Sequence, residues 1–257
     1  MDVIVDVKHH AYGELQVLED IGLHVHAGEI VAVIGPSGCG KSTLLGIMGG
    51  ILQATEGRVF MEGEAAADCL NPLTYIFQDF ALLPWRTVAQ NVALPLEHHR
   101  LAAGERARRV NDALQRTKLD DFANALPKQL SGGMRQRVGI ARALVVRPAV
   151  LLMDEPLSAL DAQTRDLLME DFLDLWLRER AAGVYVTHNF HEALRLADRI
   201  MVLSRRPGRV KEMVEIRIPQ RERTLKSAQV ELADLGNRLW SLIRDEASRA
   251  EREVVDA

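Results

Sequence analysis

Residues Ile30–Thr43 read IVAVIGPSGCGKST, five apolar residues followed by a glycine-rich loop. Four positions separate Gly35 from Gly40, and Lys41 and Ser42 come next, which is the spacing G-x-x-x-x-G-K-[ST] of a P-loop. Each residue type has a physical reason. Glycines let the backbone turn tightly enough to aim successive N–H groups at phosphate oxygens, and the helix that follows adds its positive N-terminal end. The loop Gly35, Pro36, Ser37, Gly38, Cys39, Gly40, Lys41, Ser42, Thr43 is therefore expected to cradle a nucleoside triphosphate, with Lys41 at the β- and γ-phosphates and Ser42 on Mg²⁺. The motif alone does not choose among kinases, GTPases, helicases and transport ATPases, all of which use it.

Composition narrows the setting. The 257 residues suffice for one large or two small domains, and 47% hydrophobic residues is ordinary for a globular chain. A net charge of −4 with both signs interspersed gives no general field for nucleic acid, so no nucleic-acid partner is expected. No basic-then-apolar leader is visible and no apolar run nears the roughly 20 residues of a membrane span, so a cytoplasmic location is expected. Cys39 and Cys69 fit no metal-ligand spacing. Cys39 lies at the mouth of a helix, where positive potential favours a thiolate, but the preferred reading is a small residue filling a loop position that needs no particular side chain.

Along the chain, VIVDVKH, LHVHAGEIVAVI, RVFMEG and LTYIF read as strands. From about 86 to 148 the period turns helical, and strand character returns in VLLMDEP, GVYVTH and DRIMVLS. The alternation predicts an α/β fold with a mostly parallel sheet and an inserted helical subdomain. The tail after about 220 is charged and helical, with Val230, Leu232, Leu235, Leu239 and Leu242 expected to share a packing face.

A P-loop enzyme needs a carboxylate for Mg²⁺, and VLLMDEP supplies Asp154 at the end of an apolar strand. Glu155, next to it, can polarise an attacking water as general base. In LSGGMRQR, Ser131 reads as a helix N-cap, and Gly132 and Gly133 leave first-turn N–H groups open to an anion. His188 and His191 in HNFH are close enough to suggest a metal pair, but no supporting ligand spacing accompanies them.

Together, GPSGCGKS, LSGGMRQR, LLMDEP, SALD and VTH, in that order, resemble the nucleotide-binding subunit of ATP-binding cassette transporters over at least Met1–Ser204. The resemblance implies a P-loop NTPase (RecA-like) core with an antiparallel N-terminal β part, an ATPase domain over 1–220 and a helical tail over 221–257. It implies that Gln78 senses Mg²⁺ and couples to a membrane partner, that Ser158–Asp161 forms the D-loop, and that His188 contacts the γ-phosphate. Tyr12, before Gly13, resembles the aromatic that stacks on adenine. It further implies a pair of cassettes with ATP shared at their interface, the Ser131 helix of one facing the P-loop of the other.

Non-transport members carry a long inserted coiled coil or a second cassette, and neither is evident in this sequence. FQDFALLPWRTVAQNVALPLE and VLSRRPGRV resemble the nitrate, sulfonate, taurine and bicarbonate importer ATPases of bacteria, with a lipid or lipoprotein exporter ATPase as the alternative. Such an importer implies a transmembrane permease, a periplasmic substrate-binding protein and a place on the cytoplasmic face of the membrane. Leu82, Leu83, Pro84 and Trp85 are then candidates for the permease-facing surface.

Overall fold

The computed structural model describes residues 1–179 and 181–255, apart from the side chains of 245 and 247–255. In chain order the main elements are β1 (Asp2–Tyr12), β2 (Leu15–Val25), β3 (Ile30–Ile34), α1 (Lys41–Met48), β4 (Glu56–Glu62), β5 (Leu73–Ile76), α2 (Val88–Ala93), α3 (Ala103–Arg116), α4 (Gly132–Leu144), β6 (Val150–Asp154), α5 (Ala162–Glu179), β7 (Ala182–Val186), α6 (Phe190–Leu196), β8 (Arg199–Leu203), β9 (Val210–Glu215) and α7 (Gln229–Val255). They fall into two compact units. One is Met1–Gly63 with the chain from Ala182 onward, and the other is Glu64–Ala181.

The first unit holds two sets of strands. In β1 alternate residues Val3, Val5 and Val7 are buried, as are Ile21, Leu23 and Val25 of β2, the period-2 pattern of a sheet with one covered face. These strands pair antiparallel in the order β2-β1-β4. By contrast, every residue of β3 and β7 is buried, as parallel strands covered on both faces require. β3 pairs parallel with β7 on one side and β8 on the other, and β9 adds antiparallel to β8.

Two expectations change here. LHVHAGEIVAVI is two strands, because the chain leaves β2 at Val25 and turns through His26–Glu29 before β3. Glu29 N–H donates to the carbonyl of His26 at 3.0 Å and Gly28 takes a φ of 82°, a turn that L side chains resist. In α7, Leu239 is fully buried and Leu232, Leu235 and Leu242 are half-buried, whereas Val230 is 73% exposed. Val230 falls off the packing stripe because it lies two positions before Leu232, on the opposite side of the helix.

In the second unit β5 and β6 pair in parallel. Around Val92, Leu96, Leu114, Leu119, Val138 and Ala141 the helices α2, α3 and α4 share one apolar core. Thr87 and Gln90 close a reciprocal capping box at the start of α2. Ion pairs Arg137–Asp171 and Arg116–Glu179 tie α4 and α3 to α5. Among the described residues no helix is long and apolar enough to cross a membrane.

Candidate nucleotide site

Strand β3 ends at Ile34, and the loop that follows reaches α1 through two residues of positive φ, Gly38 at 75° and Gly40 at 102°. At Gly38 a Cβ would meet nothing within 4 Å, so its glycine serves the backbone conformation alone. At Gly40 a Cβ would also come within 2.7 Å of Leu18 Cδ2. No side chain caps α1, so its first-turn N–H groups are left for a phosphate. Lys41 is 9% exposed, and its ammonium donates to the carbonyls of Gly35 at 2.9 Å and Pro36 at 3.0 Å. The lysine thus braces the loop that it is expected to serve. Ser42 is exposed.

Of the two readings of Cys39, the thiolate finds no support in the structure. Its side chain is 1% exposed, and burial pushes the thiol up from its ordinary range despite the nearby Lys41 charge. It fills space against Gly35, where an added Cβ would lie 2.8 Å from its Sγ. The small-filler reading is the one the structure supports.

The carboxylate half of the constellation lies in the second unit. Asp154 ends β6, and the Tyr75 hydroxyl from the neighbouring β5 donates to its Oδ2 at 3.4 Å. Burial and the adjacent carboxylate push the Tyr75 phenol up, so it stays a donor. Glu155 has a φ of 45°, a left-handed conformation that is strained for a residue with a Cβ, and more so before Pro156. Such strain persists only where surroundings enforce it and collects at functional sites. Here the Glu155 carbonyl accepts from the N–H of Ser158 at 3.1 Å and from its Oγ at 2.9 Å. The buried Gln136 of α4 donates its amide to the Pro156 carbonyl.

Gln78 Nε2 donates to Ser158 Oγ at 3.4 Å, so the residue after β5 and the start of SALD are in contact. Asp161 caps α5, accepting from Thr164 N–H at 3.0 Å and Thr164 Oγ1 at 2.7 Å, which holds its carboxyl below the usual range. Ser131 caps α4 through Met134 N–H at 3.2 Å; as an acceptor in that bond its hydroxyl keeps its own proton to donate. Gly133 has a packing reason as well, since a Cβ there would lie 2.9 Å from Thr164 Cγ2.

In the first unit, His188 is exposed after β7. Its neighbours are fixed: Thr187 Oγ1 donates to the buried Glu192 at 2.7 Å, and Asn189 Oδ1 accepts from His191 N–H at 2.9 Å. Tyr12 ends β1, is 48% exposed, and meets His10 edge-on at 4.9 Å.

Known proteins resemble this chain over most of its length. The family model described as ABC transporter matches residues 18–158. An uncharacterised ABC transporter ATP-binding protein of Methanocaldococcus jannaschii is 40% identical over 92% of this chain and 87% of its own. The aliphatic sulfonates import ATP-binding protein of Bacillus cereus is 42% identical over 84% of this chain and 85% of its own. The chain belongs to the ABC transporter family. It is an ATPase subunit of that family, a cassette. A solved structure described as a dimeric bacterial ABC transporter cassette covers 84% of this chain and 100% of its own, with 34% identity and a TM-score of 0.72. A second, described as a post-hydrolysis state bound to ADP and Pi, superposes with a TM-score of 0.71.

Several residues of the cassette lie outside the motifs. Gly208 is one: a Cβ there would lie 2.2 Å from the Cys39 carbonyl oxygen, and its own N–H donates to Val17 at 2.8 Å. The turn before β9 therefore backs the phosphate loop at a distance only glycine allows. Gly208→Ala is expected to shift the loop, lowering stability by about 1–3 kcal/mol and weakening ATP binding; unchanged melting and unchanged nucleotide titration would remove this account. Asn91 is another, fully buried in α2. Its side chain accepts from Leu83 N–H at 2.8 Å and donates to the carbonyls of Arg86 and Thr87, each at 3.0 Å. It thereby holds the loop on which Trp85 stands 73% exposed.

Proposed function

We propose that this cassette hydrolyses ATP to energise a bacterial importer of small sulfonate-like anions, acting as a pair of cassettes on a membrane permease. The observation that carries the import reading is the likeness to aliphatic sulfonates import ATP-binding proteins, 42% identical over 84% of the chain. The dimeric cassette that covers 84% of this chain supports the pair.

In this reading the loop from Gly35 to Thr43 holds the phosphates, with Lys41 opposing the charge on the β- and γ-oxygens. The hydroxyl of Ser42, the side-chain amide oxygen of Gln78 and the carboxylate of Asp154 are hard oxygen donors suited to Mg²⁺. Bound there, Mg²⁺ neutralises charge on the phosphate oxygens. Glu155 orients and polarises the attacking water, and its backbone, held at its carbonyl by Ser158 and followed by a Pro156 carbonyl held by Gln136, fixes where the carboxylate starts. His188 contacts the γ-phosphate, Tyr12 offers an exposed ring face to adenine, and Asp161 belongs to the D-loop. Ser131, Gly132 and Gly133 serve the ATP held by the partner copy. The permease covers the surface around Trp85 and Phe77, which are 73% and 47% exposed, large apolar area for a chain to leave in water. Docked in this way, the cassette works at the cytoplasmic face, with a periplasmic binding protein supplying the solute.

Growth tests the substrate class. A strain lacking this chain should fail to grow with an aliphatic sulfonate as sole sulfur source, and wild type but not Lys41→Ala should restore it. Normal growth of the deleted strain on sulfonates, with sulfonate uptake intact, would remove the import reading while leaving the ATPase untouched.

A further inference from the structure

At the start of β1, far along the strand from Tyr12, three metal-ligating side chains converge. His24 lies near the end of β2 and His26 is the first residue beyond it, where the chain begins its turn. Val25 between them is buried, as is Val3 opposite it, which sends Asp2, His24 and His26 outward together. Asp2 Oδ2 lies 2.9 Å from His24 Nε2 and 3.0 Å from His26 Nδ1, and the ligand atoms of the three all lie within 4.8 Å of one another. None of the three takes part in nucleotide handling.

We propose that Asp2, His24 and His26 form a site for one divalent first-row transition-metal ion, with Zn²⁺ as the fitting example, that fastens the start of β1 to the end of β2. Two imidazole nitrogens and one carboxylate oxygen, with a position left open, are a donor set for zinc and its neighbours, whereas Mg²⁺ and Ca²⁺ take oxygens. Tetrahedral bonds of about 2.0–2.1 Å put ligand atoms about 3.3 Å apart. The present separations of 2.9 and 3.0 Å from the carboxylate therefore need to open by only a few tenths of an ångström.

The supporting contacts are also those of a metal site. Asp2 Oδ1 accepts from Ala27 N–H at 2.9 Å, which orients the carboxylate from outside the ligand ring. The backbone of both histidines is held, His26 N–H by Glu29 at 2.8 Å and the His24 carbonyl by Arg199. The imidazole centroids are 4.1 Å apart; two imidazolium cations would repel at that distance, while two neutral rings can share an ion. Glu62 sits opposite Asp2 in the β1–β4 register, and water would fill the open fourth position.

Because an ion that binds the folded chain stabilises it by mass action, binding and melting read the same event. The full chain, prepared without an affinity tag, is titrated with Zn²⁺ by calorimetry and with Co²⁺ by visible absorption, beside H24Q/H26Q and H26Q variants. Wild type should bind one ion per chain at this site and melt at a higher temperature with Zn²⁺. H24Q/H26Q should bind at that site at least about tenfold more weakly, the minimum that loss of even an outer-shell partner costs, and keep wild-type Mg²⁺-dependent ATP turnover. Equal Zn²⁺ isotherms and equal melting shifts for wild type and H24Q/H26Q would overturn the proposal. If the double variant melts before titration, H26Q decides, and an affinity equal to wild type overturns it as well.

Discussion

Lys41→Ala is expected to lower ATP turnover by about 10²–10³-fold or more, the range for removing one preorganised charge donor from a reacting centre. The physical basis has two parts. Lys41 carries the one cationic side chain within Gly35–Thr43, where negative charge is redistributed in phosphoryl transfer. Its ammonium also bridges the carbonyls of Gly35 and Pro36 at 2.9 and 3.0 Å, so removal loosens the loop as well as stripping its charge. Phosphate release from the purified variant, beside thermal melting to show that it is folded, gives the result. Turnover within about tenfold of wild type in a folded variant would contradict the role of the loop, because a positioned charge of this kind is worth several kcal/mol.

Glu155→Gln is expected to bind Mg²⁺–ATP but to hydrolyse it at least about 10²-fold more slowly, the lower end of what a positioned general base supplies. The amide preserves shape and cannot take a proton. ATP should then hold two chains together, as light scattering with and without nucleotide would show. Adding Ser131→Arg places a bulky cation at the N-terminus of α4, where Ser131 now caps Met134 at 3.2 Å, and the ATP-dependent dimer should disappear while ATP still binds. A double variant that dimerises as readily as Glu155→Gln would show that Ser131 faces no shared nucleotide. To separate loss of the cap from loss of the interface, Ser131→Ala is measured beside it: losing the cap alone costs about 1 kcal/mol of stability and should leave most of the dimer.

The motifs were legible because their chemistry is local. A P-loop is a run of consecutive backbone groups, so its glycines and Lys41 can be read from spacing. Ser131 could be read as a cap for the same reason, and Asp154 as the end of an apolar strand. Positions whose role depends on a distant partner gave no such signal. Gly208 looks like one more turn glycine until the Cys39 carbonyl is found 2.2 Å from where its Cβ would be. Gln136 lies inside LSGGMRQR, yet its target, the Pro156 carbonyl, is 20 residues away in sequence. Asn91 reads as a polar break between apolar residues, and only its four bonds to the loop before α2 show that it is a hub. For Cys39 the sequence offered both a thiolate and a small loop filler, and only burial decides between them, since helix-end potential is a local property and burial is not.

What the amino-acid sequence by itself determined is the kind of chemistry expected: a glycine-rich loop before a helix, carboxylates at a strand end, a helix start capped by Ser131, and the order of strands and helices that carries them. These follow from backbone periodicity and from residue types within a few positions of one another. Only the tertiary structure decided which conformations are enforced and which groups are hidden. Glu155 is held at a φ of 45° by Ser158, the Cys39 thiol is 1% exposed, and Asp2 meets His24 and His26 across 22 and 24 residues of sequence. Each depends on a partner brought close by strand pairing or side-chain packing, and free energies of burial and hydrogen bonding belong to those pairs rather than to any one residue.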